Sequence, residues 1–182
     1  MIAVLEHELK GYFHSLTAYV FGAFLLLFIG IGSMLYNLQA AVSNFEFVLS
    51  FSTLVFVVIV PILTMRVLAE ERKQRTDQLL YSLPLKIRDV VAGKNLAMVS
   101  VLAAPTLLLA LIPPILSIYG TVNFAAAYGT LFAFFLMGCA LIAIGMFFSS
   151  LTESQIIAAV LSFSALLVSL TAETISRTVR LR

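Results

Sequence analysis

Residues 125–148 read AAAYGTLFAFFLMGCALIAIGMFF and contain no Asp, Glu, Lys, Arg or His. A helix needs about 20 apolar residues to cross a hydrocarbon core of about 30 Å, so this stretch is long enough to span a bilayer. Inside a bilayer it must be helical, because a lone strand would leave its backbone N–H and C=O groups without partners. The stretch therefore predicts a transmembrane helix.

Four other stretches also lack all five of these residue types, and they are residues 18–36, 47–65, 95–119 and 156–172. Of the 182 residues, 62% are hydrophobic and 11% are charged, whereas about 25% are charged in an ordinary soluble domain. The mean hydropathy is +1.09. These features predict an all-α integral membrane protein with about five transmembrane helices, organised as a single domain over residues 1–182.

The first 16 residues differ from these stretches because they mix apolar and polar side chains. Apolar residues recur at helical spacing, as in Leu5, Leu9 and Tyr12, while Glu6 and Lys10 lie between them. Such a pattern predicts an amphipathic helix that lies along the membrane interface.

The distribution of lysine and arginine predicts the orientation in the membrane. Seven of the eleven lie between the second and third predicted spans: Arg66, Arg72, Lys73, Arg75, Lys86, Arg88 and Lys94. The positive-inside rule therefore predicts that the N-terminus and segment 66–94 face the cytoplasm. Arg177, Arg180 and Arg182 follow the fifth span on the side that the rule disfavours. We therefore expect either that the fifth segment does not cross or that a later part of the protein is missing.

Segment 66–94 is the longest polar part of the chain, and it begins charged and then becomes apolar. We expect a helix that ends near Leu83, because Pro84 disfavours helix at the preceding residue. A second helix is expected from about Lys86 into the third span, which together gives a helical elbow projecting from the membrane. A topology signal explains its cations, whereas a docking surface for a soluble partner also explains its acidic residues and its length.

The predicted spans contain proline, glycine and hydroxyl residues. Prolines can bend the second and third spans, as a hinge or as a static kink: Pro61, Pro105, Pro113 and Pro114. Four glycines are expected to let helices approach closely: Gly22, Gly30, Gly138 and Gly145. Ser and Thr side chains within the spans either line a path or bond back to their own helix carbonyls.

Several classes of function find little support in the residues. No G-x-x-x-x-G-K-[ST] motif is present, so the chain is not expected to hydrolyse ATP alone. The spans carry no ionisable residue, which disfavours an ion-coupled secondary carrier, although this class and a non-catalytic membrane anchor or assembly protein remain alternatives. Glu153 is a lone carboxylate and Cys139 a lone thiol, and neither predicts catalysis, a metal or a cofactor in this chain.

Three stretches resemble ABC-2-type transporter permeases. They are PILTMRVLAEERKQRTDQLLYSLPL at 61–85 followed by VVAGK at 90–94, GMFFSSLTESQIIAAVLSF at 145–163, and ELKGYFHS at 8–15. The first stretch is similar to the cytoplasmic loop of the gliding-motility-like branch, which pairs Met-Arg and Glu-Glu with a Thr-x-x-Leu-Leu run and a proline. The chain departs from the family pattern at Arg75, where glycine is frequent, and at Gln78, where glutamate is frequent.

The resemblance implies one permease subunit of a dimeric exporter in a bacterial cell membrane. The dimer would pair with a second or homologous permease copy, and a separate ATP-binding-cassette ATPase would carry the ATP and Mg; no nucleic acid is expected as a partner. The residues expected to dock that ATPase are Glu70, Glu71, Arg72, Arg75, Thr76, Asp77, Leu79, Leu80 and Pro84. Because family members usually have a sixth span, the chain is expected to be truncated before its last transmembrane helix.

The orientation can be tested by cysteine labelling. In a Cys139→Ser background, a Gln74→Cys variant should react with an impermeant maleimide only after the membrane is opened, since Gln74 lies in the cation-rich segment. A Val122→Cys variant, placed in the cation-free loop, should react in intact cells. Labelling of the cysteine at position 74 in intact cells would show that the topology is inverted.

Overall fold

The computed structural model describes residues 6, 8–12, 16–39, 44–74, 87–118, 120–152, 154, 156–165 and 168. It describes the side chains of all of these except residues 17, 38, 62–63, 65–74 and 87. Within this part of the chain every regular element is a helix. The predicted all-α class is therefore confirmed.

The helices follow one another with short connections. They are α1 (Leu16–Ser33), which continues into a π-helical turn (Met34–Gln39), then α2 (Phe45–Gln74), α3 (Ile87–Leu109), α4 (Ile112–Leu116), α5 (Phe124–Leu151) and α6 (Ile156–Ala165). Residue 6 and residues 8–12 are also helical, and we call them together the N-terminal segment.

Three stretches of the described chain are helical, long and apolar enough to cross a bilayer: Ala18–Asn37, Arg88–Leu116 and Phe124–Leu151. They coincide with the first, third and fourth predicted spans. Two shorter apolar helical stretches, Phe45–Pro61 and Ile156–Ala165, overlap the second and fifth predicted spans. The architecture is that of a multi-pass membrane protein.

Contacts between the helices fix their relative directions. Phe56 of α2 stacks on Phe134 of α5, and Thr64, further along α2, lies against Gly145, further along α5. These two helices therefore run parallel, whereas α3 runs antiparallel to them. We call the end of the bundle where α2 ends and α3 begins the charged end, and the end where α1 meets α2 the opposite end.

Each spanning helix buries one stripe of side chains although it is apolar all round. In α1 the buried stripe is Ala18, Phe21, Leu25 and Ile29, while large apolar side chains such as Leu27 are exposed on the other face. In α3 the stripe contains Met98 and Leu102. Exposed apolar faces of this kind are stable only against lipid, which agrees with the membrane assignment.

The closest packing joins α5 to its neighbours at two glycines. A Cβ added at Gly138 would lie 2.5 Å from Leu102 Cδ2 and 2.7 Å from Phe56 Cζ. A Cβ at Gly145 would overlap Thr64 Oγ1 and lie 2.8 Å from Thr64 Cβ. The absence of a side chain at both positions is therefore what lets α2, α3 and α5 meet.

The other two glycines singled out in the sequence do not have this role within the chain. A Cβ at Gly22 or Gly30 would meet no atom within 4 Å among the described residues, so that prediction is wrong for both. Gly32 takes the role instead, since its added Cβ would lie 3.1 Å from Val48 Cγ1 at the opposite end. The sequence pattern does not separate these positions, because glycine occurs on both faces of α1.

We predict that Gly145→Ala destabilises the bundle by about 1–3 kcal/mol, because the new methyl group overlaps Thr64 and forces the packing to shift. The matched control is Gly129→Ala in the same helix, where an added Cβ meets no described atom within 4 Å. That control should be neutral or stabilising by up to about 1 kcal/mol, since alanine favours helix. The measurement is the free energy of unfolding by SDS titration in mixed micelles; equal effects of the two variants would contradict the close contact.

Candidate functional site

The helix α2 reaches far beyond its apolar part. It is continuous for 30 residues from Phe45 to Gln74, which corresponds to about 45 Å of rise. A hydrocarbon core is about 30 Å thick, so the last turns extend beyond it at the charged end. Residues 66–74, the first nine residues of the predicted elbow, are therefore helical, as expected from the sequence.

The predicted docking residues divide into two groups. Glu70, Glu71 and Arg72 belong to the last turns of α2, where the structure describes the backbone. The remaining ones lie outside the described residues, and their docking role stays a prediction: Arg75, Thr76, Asp77, Leu79, Leu80 and Pro84.

On the other side of this segment, α3 begins at Ile87 and carries Asp89 in its first turn. A carboxylate at this position interacts favourably with the partial positive charge of the helix N-terminus. The prediction of a second helix that runs from about residue 86 into the third span is confirmed. Segment 66–94 thus begins with the last turns of α2 and ends with the first turns of α3, and both helices continue into the bundle.

A buried ion pair ties the N-terminal segment to α3. Lys94 Nζ donates to Glu8 Oε1 at 2.7 Å, across a separation of 86 residues. The side chain of Lys94 is 1% exposed and that of Glu8 is 19% exposed. Lys94 occupies the same face of α3 as Met98 and Leu102, so its ammonium group is placed at the start of the buried stripe.

The sequence did not predict this pair, because Lys94 was assigned only to orientation and Glu8 only to an interfacial helix. The one available signal is the spacing of Lys94 from Met98 and Leu102, which places all three on one helical face. Since α3 is apolar around most of its circumference, that spacing does not identify the face as buried.

A second ion pair on the N-terminal segment has the opposite environment. Lys10 Nζ lies 2.8 Å from Glu6 Oε1, one helical turn away, and the two side chains are 69% and 65% exposed. Exposed pairs of this kind stabilise a protein by about 0–1 kcal/mol at most. The two ion pairs therefore have similar N–O distances, but they differ strongly in burial.

The third span is interrupted near the opposite end, as its prolines predict. The helix α3 ends at Leu109, and α4 begins at Ile112 with prolines in its first turn. Because Pro114 has no N–H, the carbonyl of Ala110 lacks its usual helical donor. The hydroxyl of Tyr128 in α5 donates to that carbonyl at 3.2 Å. The sequence placed Tyr128 only in an interfacial belt, and this second role emerges from the structure.

An apolar groove of about 430 Å³ lies between α3 and α5 beside this break. Its lining is Ala103, Thr106, Leu107, Ala110, Tyr128, Leu131, Phe132 and Phe135. The groove is open to the side of the bundle and offers few polar atoms. Its chemistry suits hydrocarbon and provides no catalytic group.

Most of the hydroxyl side chains in the spans bond to their own helices. Each of the following donates to a carbonyl three or four residues earlier: Ser52, Thr53, Thr64, Ser100, Thr106, Ser162 and Ser164. Of the two possibilities that the sequence left open, the structure favours bonding back for these seven. Ser33 Oγ is buried and has no hydrogen-bond partner in the described part of the chain.

The described residues contain no cluster of three or more His, Cys, Asp or Glu side chains that could hold a metal ion. Cys139 lies half-buried in α5 as a free thiol, and Glu153 lies outside the described residues. The features that remain for function are mechanical: two helices leading from the bundle to a charged segment, and an ion pair beside them.

The fold and the charged end define a multi-pass, all-α membrane protein that carries a helical projection at one end. A family model described as ABC-2 family transporter protein matches residues 35–172, which is more than half of the 182 residues. The chain therefore belongs to the ABC-2 family of transporter proteins and is an ABC transporter permease. The narrower gliding-motility-like branch and the expected further span stay predictions. Comparisons with curated proteins and with solved structures gave no match.

We predict that Tyr128→Phe weakens the bundle by about 0.6 kcal/mol, and by about 1.7 kcal/mol at most, because the Ala110 carbonyl loses its donor. Tyr19→Phe is the control, since Tyr19 is exposed on the outer face of α1. The free energy of unfolding by SDS titration is the measurement. No difference between the two variants would mean that the hydroxyl does not stabilise the break in the third span.

Proposed function

We propose that this permease is the membrane subunit of an exporter whose energy comes from a separate ATP-binding-cassette ATPase. The ATPase binds ATP and Mg and docks at the charged end, and a second copy of this chain or a homologous permease completes the transporter. In this arrangement the protein lies in a bacterial cell membrane with the N-terminus and the charged end in the cytoplasm.

The observation that carries the proposal is the unbroken helix from Phe45 to Gln74. Its apolar part packs on α5 in the middle of the bundle, through Phe56 and Thr64. Its last turns contain Glu70, Glu71 and Arg72 outside the hydrocarbon core. A continuous helix transmits a displacement at one end to the packing at the other, which a flexible loop does not.

The charges at the end of α2 support docking for an energetic reason. Exposed ion pairs contribute about 0–1 kcal/mol each to stability, so a mixed-charge extension stabilises the permease very little. At an interface the same charges fix the register of two partners and exclude wrong ones. A role in fixing membrane topology would explain only the cations and would not explain Glu70 and Glu71.

An ion-coupled carrier fits less well. Such carriers place ionisable groups near the middle of the membrane. The span Arg88–Leu116 contains Lys94 near its charged end, about 9 Å of helical rise from Arg88. The buried ion pair therefore lies near the charged end and far from the middle of the membrane.

We expect Glu70→Lys and Glu71→Lys to reduce association with the ATPase at least tenfold each, because each reversal of charge places like charges opposite each other at the proposed docking surface. Membrane insertion should be unchanged, since both residues lie beyond the apolar part of α2. The control is Glu46→Lys, which makes the same change of charge in the first turn of α2 at the other end. Co-purification of the ATPase subunit with the permease is the measurement. Wild-type association in both variants would leave the segment as a topology signal only.

Leu80→Pro separates docking from transmission in the same complex. In the fraction of the permease that retains the ATPase, we expect ATP hydrolysis in proteoliposomes to be uncoupled from substrate transport, because proline would interrupt the helix that the sequence predicts there. Normal coupling in this variant would show that the segment does not transmit motion as a rigid element.

A further inference from the structure

The N-terminal segment makes one ion pair at its surface and another whose ammonium group is buried. Lys10 and Glu6 lie one turn apart on the same exposed face. Lys94 and Glu8 join two elements that are distant in sequence, and the ammonium group is buried. Of the two pairs, only the second joins the N-terminal segment to the bundle, against which Tyr12 of the same segment also packs.

Burial makes the second pair costly to separate. Removing a charged side chain from water is unfavourable unless an opposite charge and hydrogen bonds compensate it. Lys94 lies at the start of the buried stripe of α3, where its long side chain is enclosed by protein. Separating the N-terminal segment from α3 would leave the ammonium group without the Glu8 carboxylate, so the two elements are held together.

The position of Lys94 along α3 connects this pair to the charged segment. Lys94 comes seven residues after Ile87, the first residue of α3, which is about 10 Å of helical rise. On the other side, the N-terminal segment leads within a few residues to α1, which begins at Leu16 and also packs against α3. The pair therefore joins α3, near its start, to the segment that precedes α1.

We propose that the Glu8–Lys94 ion pair is a positioning clamp that makes the N-terminal segment move with α3, so that a displacement of segment 66–94 reaches α1 as well as α2 and α3. This role rests on the proposed function, since the displacement comes from the docked ATPase. The N-terminal segment is then part of the transmission path and not only a helix resting at the membrane interface. Glu8 and Lys94 act through the helices that they hold.

The clamp can be tested with a spin label at Gly11 in a Cys139→Ser background. Gly11 is exposed, and a Cβ added there meets no described atom within 4 Å, so Gly11→Cys is tolerated. The label reports the motion of the N-terminal segment in reconstituted membranes. The variants are Glu8→Ala, Lys94→Met and the exchange of charges Glu8→Lys with Lys94→Glu. Glu6→Ala, which breaks the exposed pair, is the matched control.

In the permease without nucleotide, we expect Glu8→Ala and Lys94→Met to shorten the rotational correlation time of the label at least twofold. Glu6→Ala should leave the correlation time unchanged, and the charge exchange should restore most of the immobilisation. If Lys94→Met does not insert, Glu8→Ala decides the matter, because Glu8 is partly exposed and its removal disturbs the core less. An immobile label in Glu8→Ala, or equal mobility in the control, would overturn the clamp.

The second readout uses the complex with its ATPase, compared without nucleotide and after trapping with ATP and vanadate. The unmodified pair should give a nucleotide-linked change in the spectrum at position 11. Glu8→Ala should abolish that change while the ATPase still co-purifies and hydrolyses ATP. If the pair only stabilised the permease, the nucleotide-linked change would remain in Glu8→Ala. Persistence of the change in Glu8→Ala would overturn the coupling role.

The two proposals fail in different ways. If no ATPase associates with the unmodified permease, the proposed function is wrong and the coupling role falls with it. The spectra without nucleotide still decide whether Glu8 and Lys94 hold the N-terminal segment, because that comparison needs no partner. If the ATPase associates but the label is mobile in every variant, only the clamp is wrong.

Discussion

The carbonyl oxygen of Ala110 illustrates the constraint on which the structure depends. In a hydrocarbon environment no water is available to bond a backbone group, so each N–H and C=O needs a partner within the protein. Helices meet that requirement locally, and all regular structure in the described residues is helical. Where Pro114 removes a donor, the hydroxyl of Tyr128 on a different helix replaces it. At the break in the third span, α5 thus supplies a hydrogen-bond donor that the helix itself lacks.

The same environment changes what holds the helices together. Lipid tails are as apolar as leucine side chains, so burial of apolar surface adds little to helix association in a membrane. Close approach of backbones and dense contact take its place. Gly138 and Gly145 bring α5 against Phe56, Leu102 and Thr64. Because α2 is one continuous helix, this packing is mechanically connected to the charged residues beyond the membrane.

The charged end is the part of the molecule where electrostatics decides the geometry. The exposed charges of Lys10 and Glu6 are solvated and contribute little to the fold. The ammonium group of Lys94 is different, because burial makes its contact with Glu8 costly to lose. The charged end therefore contains a charge that organises the permease itself.

The sequence by itself determined the class of protein, the approximate positions of the apolar helices, and that prolines disturb the helix of the third span. These features follow from length, hydropathy and the missing N–H of proline, all of which act locally along the chain. Only the tertiary structure decided which stripe of each helix is buried, which glycines are close contacts, and that Lys94 meets Glu8. The physical reason is that a helix facing lipid is apolar on every side, so its sequence carries no contrast between the face that meets protein and the face that meets the membrane.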